Sequence, residues 1–166
     1  MTEKGGPEFD YEICNSRIRP IAEALIAKYD ELRHIDPDKI LFLVNHKSSG
    51  SKKQMVLART SRISPKWTEI LYQLGACSYF YTIEFYAKTT AAMDESQMVA
   101  LVYRELRRIG PEGEILVPDV HDWWQILMGL GRKWFYPDST CPNLLDENVD
   151  WKKLMGQYYE KVGSAE

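Results

Sequence analysis

Residues 94–111 constrain this chain more than any other stretch. Asp94 is followed three residues later by Gln97, the spacing of a capping box, in which each side chain binds the other's backbone N–H. Met98, Leu101, Val102, Glu105, Leu106 and Ile109 then recur along one broad helical face. Gly110-Pro111 stops the pattern. A helix with such a face must bury it against other elements. Its last turn is unusual, because the acidic Glu105 falls on the apolar face and Arg104, Arg107 and Arg108 crowd around it.

The elements on either side set the fold class. Pro20 suits the first turn of a helix to about Arg33, with Ile21, Leu25, Tyr29 and Leu32 at helical spacing. Lys39 to His46 reads as a strand. The polar turn 47–53 and a second strand, Gln54 to Thr60, complete a hairpin with a long loop. Ser64-Pro65 opens a helix to about Leu74, which Gly75 ends. Tyr79 to Tyr86, aromatic and β-branched, is the strongest strand, and Glu114 to Val117 is a short extended segment. Asp119 caps a helix to about Leu130 with Asp122 in its first turn, and a last helix spans about 149–162. The pattern is α+β: a small, mostly antiparallel sheet of three or four strands with about five helices. Residues 1–12 are expected to be a flexible N-terminus and residues 13–166 a single domain.

Composition narrows the function classes. With 45% apolar and 27% charged residues over 166 positions, the chain can build one sizeable core. A net charge of -3 argues against nucleic acid as a partner, since a basic stripe is expected there. Cys14, Cys77 and Cys141 lie far apart with no C-x-x-C pair, so neither a thiolate metal site nor a disulfide framework is indicated. No stretch approaches the apolar length of a membrane span, and no secretory signal is visible, so the expected compartment is the cytoplasm. The Lys/Ser/Gly-rich 47–53 turn lacks the order of a phosphate loop. Trp123, Trp124, Trp134, Trp151, Tyr158 and Tyr159 make the C-terminal third aromatic, as core or as a protein-binding surface.

Arg104-Glu105-Leu106-Arg107-Arg108 has the frame of the zinc-protease motif H-E-x-x-H, with arginine at both histidine positions. The surrounding residues carry a wider resemblance. Ile40-Leu41-Phe42, Tyr81-Thr82-Ile83-Glu84, Gln97 to Tyr103, Glu105-Leu106, Ile109, Asp119-Val120, Asp122-Trp123, Gly131 and Trp134 resemble the putative phage-type metallopeptidase domain, a zincin-like family of phages and prophages. The resemblance spans about 29–134 and implies a zincin-like core. In that family an H-E-L-x-H helix and a downstream histidine hold zinc.

Carried onto this chain, the three ligand positions hold Arg104, Arg108 and Pro118, and Glu105 is a vestigial general base. Asp119, His121 and Asp122 are expected around it. Imidazole can give a lone pair to a metal and guanidinium cannot, so no metal or other cofactor is expected here, although zinc serves the family. The resemblance then implies a degenerate, inactive metallopeptidase-like protein with a structural or protein-binding role. Its rival is an active zinc peptidase with non-standard ligands. His121 is a ligand in an alternative register, or a polar residue in a helix first turn. The plainest alternative makes Arg104, Glu105, Arg107 and Arg108 a solvated helix face.

Overall fold

A computed structural model describes residues 9–47, 56–118 and 122–156. Four strands form one sheet in the order β1-β2-β4-β3. These are β1 (Tyr11–Ile13), β2 (Ile40–Asn45), β3 (Ala58–Arg62) and β4 (Tyr81–Tyr86). β1 pairs antiparallel with β2, β2 parallel with β4, and β3 antiparallel with β4. Two of three pairings are therefore antiparallel, in a small α+β domain.

The expected hairpin between residues 39–46 and 54–60 does not form. β4 lies between its two halves and pairs with both. Alternation explains the choice: Ile83 and Phe85 on β4 are fully buried, and such a strand gains most at the centre. β3 turns Arg59 to solvent and ends in exposed Arg62, which suits an edge. β1 draws Tyr11 and Glu12, expected within the flexible N-terminus, into the sheet.

Helix α1 (Asn15–Lys28) starts earlier and ends earlier than the expected span from Pro20 to Arg33. Asn15 anchors it, accepting from Phe42 N at 2.8 Å and donating to Tyr79 Oη at 3.1 Å. Pro20 lies inside the helix, where it removes one backbone hydrogen bond. Tyr29 turns extended and ends α1, and a 3-10 turn, Asp30–Leu32, follows. Helix α2 (Pro65–Gln73) has Ser64 at its N-cap, and Gly75 adopts φ +82°, a conformation few residues but glycine adopt easily. A short α3 (Ala87–Thr90) leads to α4 (Glu95–Leu106).

α4 has the expected capping box. Asp94 Oδ1 accepts from Gln97 N at 2.8 Å, and Gln97 Oε1 accepts from Asp94 N at 2.9 Å. The Gln97 amide also donates to the carbonyls of Trp134 and Tyr136, at 2.9 and 2.7 Å. Helix α5 (Trp124–Gly129) begins later than the expected Asp119 start, and Asp119 and His121 lie outside the described residues. Residues 151–156 form α6; the remainder of the expected last helix also lies outside them.

The core sits between one sheet face and α1 and α4. Ile40, Phe42, Ile83 and Phe85 meet Ile18, Ala22 and Leu25 of α1 and Val99, Leu101, Val102 and Leu106 of α4. Tyr29, Tyr103 and Trp151 form an aromatic cluster, with centroids 5.1 Å apart for Tyr29–Tyr103 and for Tyr103–Trp151. Tyr29 Oη donates to Leu144 O at 2.7 Å, and Lys28 Nζ donates to the carbonyls of Leu144, Asp146 and Val149. These bonds tie the 144–149 loop to the C-terminus of α1, where a cation also favours the helix dipole.

Asp94→Ala should cost about 1 kcal/mol. Gln97→Ala should cost about 2–3 kcal/mol, because it also strands two carbonyls. Urea unfolding monitored by circular dichroism measures both, and equal losses would contradict the double role of Gln97. Burial pushes the Tyr29 phenol up to about 12 from 10.0. Its raised folded pKa means that the stability it contributes is whole below pH 10.0 and is lost as pH rises towards about 12. Melting temperature should fall across that window, less steeply in Tyr29→Phe.

Candidate functional site

The site is built on the last turn of α4. Glu105 lies on the helix face turned to β3 and is 0% exposed. A buried carboxylate needs a charge partner and hydrogen-bond donors. Thr60, on the core face of β3, donates to Glu105 Oε2 at 2.7 Å. Arg104 supplies the charge: its NH1 donates to Glu105 Oε1 at 2.9 Å, and its Nε donates to Asp122 Oδ1 at 3.0 Å. The Arg104 side chain is only 16% exposed. One planar fork therefore joins a carboxylate on its own helix to one on the downstream segment.

Asp122 is held as firmly. Its Oδ1 also accepts from Trp123 N at 2.8 Å, and its Oδ2 accepts from Trp134 Nε1 at 3.3 Å. Trp123 Nε1 closes the ring by donating to Arg104 O at 2.9 Å, satisfying a last-turn carbonyl that has no helical partner. All four carboxylate oxygens of Glu105 and Asp122 thus have donors.

Arg107 belongs to a neighbouring network. It sits over the Trp123 ring at 4.8 Å and donates to Gln125 Oε1 at 3.0 Å and Tyr103 Oη at 3.2 Å. Tyr103 Oη donates to Glu31 and accepts from Trp151 Nε1. Burial, with that bond to Glu31, pushes the Tyr103 phenol well above its usual range.

The segment that leads to Pro118 folds back on the end of α4. Leu116 N donates to Arg108 O at 2.7 Å, and an antiparallel bridge joins Ile109 to Ile115. The chain thus returns to the end of α4 two residues before Pro118. The reversal is tight, with Gly113 at φ +82°. Arg108 Nε is buried without a hydrogen-bond partner among the described residues.

The structure therefore brings Arg104, Glu105 and Asp122 together and carries the Pro118 segment back towards Arg108. It removes the solvated-face reading of Arg104, Glu105 and Arg107, since all three are engaged and largely buried. Sequence reasoning missed Thr60, and missed Trp123 and Trp134 as donors to the site. Thr60 alternates with Ala58 on one strand face, but nothing local says that this face meets Glu105.

The donor set can be tested against the chemistry of a divalent cation. Guanidinium offers no lone pair at positions 104 and 108, and proline offers no side-chain donor at position 118. The nearby carboxylate oxygens already accept from Arg104, Thr60, Trp123 and Trp134. Among the described residues no group of three or more His, Cys, Asp or Glu is placed to hold a metal ion. These residues do not fit a zinc ion of the H-E-x-x-H kind.

The chain matches the family described as putative phage metallopeptidase over residues 9–159, and it belongs to that family. The match extends beyond the 29–134 span of the residue resemblance. No curated protein and no solved structure matches the chain. No helix among the described residues is long and apolar enough to cross a membrane.

The fork predicts a large, asymmetric mutational response. Arg104→Ala leaves two buried carboxylates without their cation and should cost about 3–5 kcal/mol. Glu105→Gln keeps the shape and should cost less than half of that. Denaturant unfolding of both variants reads the difference, and a loss below about 1 kcal/mol for Arg104→Ala would mean a solvated pair.

Proposed function

We propose that this chain is a metal-free, catalytically inactive member of its family, in which the Arg104 guanidinium stands in for the charge of the metal. On this reading it serves as a structural or protein-binding scaffold. The observation that carries the reading is the fork of Arg104 between Glu105 and Asp122. A metallopeptidase glutamate must reach a metal-bound water to take its proton. Here Glu105 is fully buried and both of its oxygens already accept hydrogen bonds. The family's zincin-like frame would persist because a salt-bridge cluster balances the carboxylates a metal once faced. The partner would be a protein rather than a nucleic acid, given the net charge of -3.

The test is metal content. Protein purified without an affinity tag should hold far less than one zinc per chain, and chelator should leave its melting temperature unchanged. Stoichiometric zinc, removable by chelator with loss of stability, would overturn the reading. The variant carrying Arg104→His, Arg108→His and Pro118→His tests the inherited geometry. If the three positions converge, it should bind cobalt with the visible absorption of a tetrahedral site, while a variant with only the two helix changes binds weakly.

A further inference from the structure

A cleft of about 720 Å³ lies at the N-terminal end of α4. Glu95 and Glu105 are about 15 Å apart along that helix, so the cleft is separate from the Arg104 cluster. The parallel strands β2 and β4 end together there, at Asn45 and Tyr86. The floor of the cleft is apolar. Ile18 and Ile21 come from α1, Val44 from β2, Phe85 from β4, Met98 from α4, and Met93 lies just before α4. Met93 and Met98 are half-buried. Their unbranched, polarisable side chains let such a floor fit more than one shape.

The rim is acidic. Glu12, Asp94 and Glu95 stand on it against one guanidinium, that of Arg17, and His46 lies 3.1 Å from the Glu12 carboxylate. All five residues are exposed. The dipole of α4 offsets only about half a charge at Asp94 and Glu95, so carboxylate remains in excess. The floor side chains offer a ligand no hydrogen bond, because the one lining hydroxyl, that of Thr90, already donates to Tyr86 O at 2.9 Å. An extended peptide laid on such a floor would leave backbone groups without partners. A helix satisfies its own backbone and presents side chains alone.

We infer that this cleft takes a basic amphipathic helix of a partner protein. Aliphatic residues at i, i+3, i+4 and i+7 of that helix fill the floor, and its lysines or arginines meet the rim carboxylates. The volume lies within the roughly 300–1,000 Å³ of pockets that enclose a ligand. The charges sit where solvent still reaches them, so they steer association and make it sensitive to salt. The inference rests on the protein-binding part of the function proposed above and not on its metal-free part. Peptide affinity and zinc content are separate measurements, so either part can fail alone.

The probe is a fluorescently labelled peptide of about 14 residues, with leucine at i, i+3, i+4 and i+7 of each helical stripe and lysine elsewhere. Anisotropy is read as the full chain is added. The wild type should bind it at micromolar concentrations, and less tightly as salt rises. The same peptide with glutamate in place of lysine should bind at least about tenfold more weakly. Ala91→Trp fills the cleft from an exposed position without changing the charge, and should weaken binding by about tenfold or more. Glu95→Lys, also at an exposed position, should weaken it by about fivefold and gives the reading if Ala91→Trp loses the wild-type circular dichroism spectrum. No binding up to about 200 μM would overturn the proposal. So would a folded Ala91→Trp or Glu95→Lys variant that binds as tightly as the wild type, or equal binding of the acidic peptide. Sedimentation of the chain alone identifies a second copy as the occupant. A mass above 19.3 kDa that Ala91→Trp returns to that value would also overturn the proposal.

Discussion

A buried carboxylate without a counter-charge is among the most costly things a small domain can contain. Glu105 sits at such a position, and the structure around it is organised to satisfy it. Arg104 neutralises it, Thr60 occupies its second oxygen, and Asp122 takes the other side of the same guanidinium. The three groups come from α4, from β3 and from the segment before α5. One cluster therefore fixes how three parts of the chain that are distant in sequence meet. The indole N–H groups of Trp123 and Trp134 complete it, so that even the aromatic core near the site is oriented by polar contacts.

A second set of ties holds the C-terminal part in place by different chemistry. Gln97 belongs to the cap of α4 and also binds the carbonyls of Trp134 and Tyr136. Lys28 gathers three carbonyls of the 144–149 loop, and Tyr29 packs edge to face on Tyr103, with Trp151 tilted against both. The 134–149 region contains little regular structure, so its backbone groups need side-chain partners. The helices α1 and α4 supply them. This arrangement also explains why the two phenols are shielded enough for burial to raise their pKa values.

The site and the sheet illustrate one physical rule. Position on an element decides whether a residue faces the core, but only the partner element decides what that residue does. Glu105 was visible as an acidic residue on an apolar face, and Arg104 as its neighbour. Asp122 was expected near Glu105 from the family resemblance, and the fork of Arg104 is what joins the two. Thr60 carried no signal at all, because a threonine alternating along a strand is ordinary until the strand meets a carboxylate. The misplaced hairpin has the same origin. Residues 39–46 and 54–60 are near in sequence and each suits a strand. Pairing energy, however, depends on which third strand is available, and β4 offers both of them a better partner.

The sequence by itself determined the local structure of α2, β4 and α4, together with the α+β class. Caps, proline and glycine positions and apolar periodicity are short-range signals that act before the chain folds. It also determined which side chains stand at positions 104, 108 and 118, and so the donor chemistry available there. The tertiary structure decided the strand order, the start of α1 five residues before Pro20, and the partners of Glu105. Each of these is settled by contacts between distant segments, where the burial of a charge or of a strand face outweighs local preference.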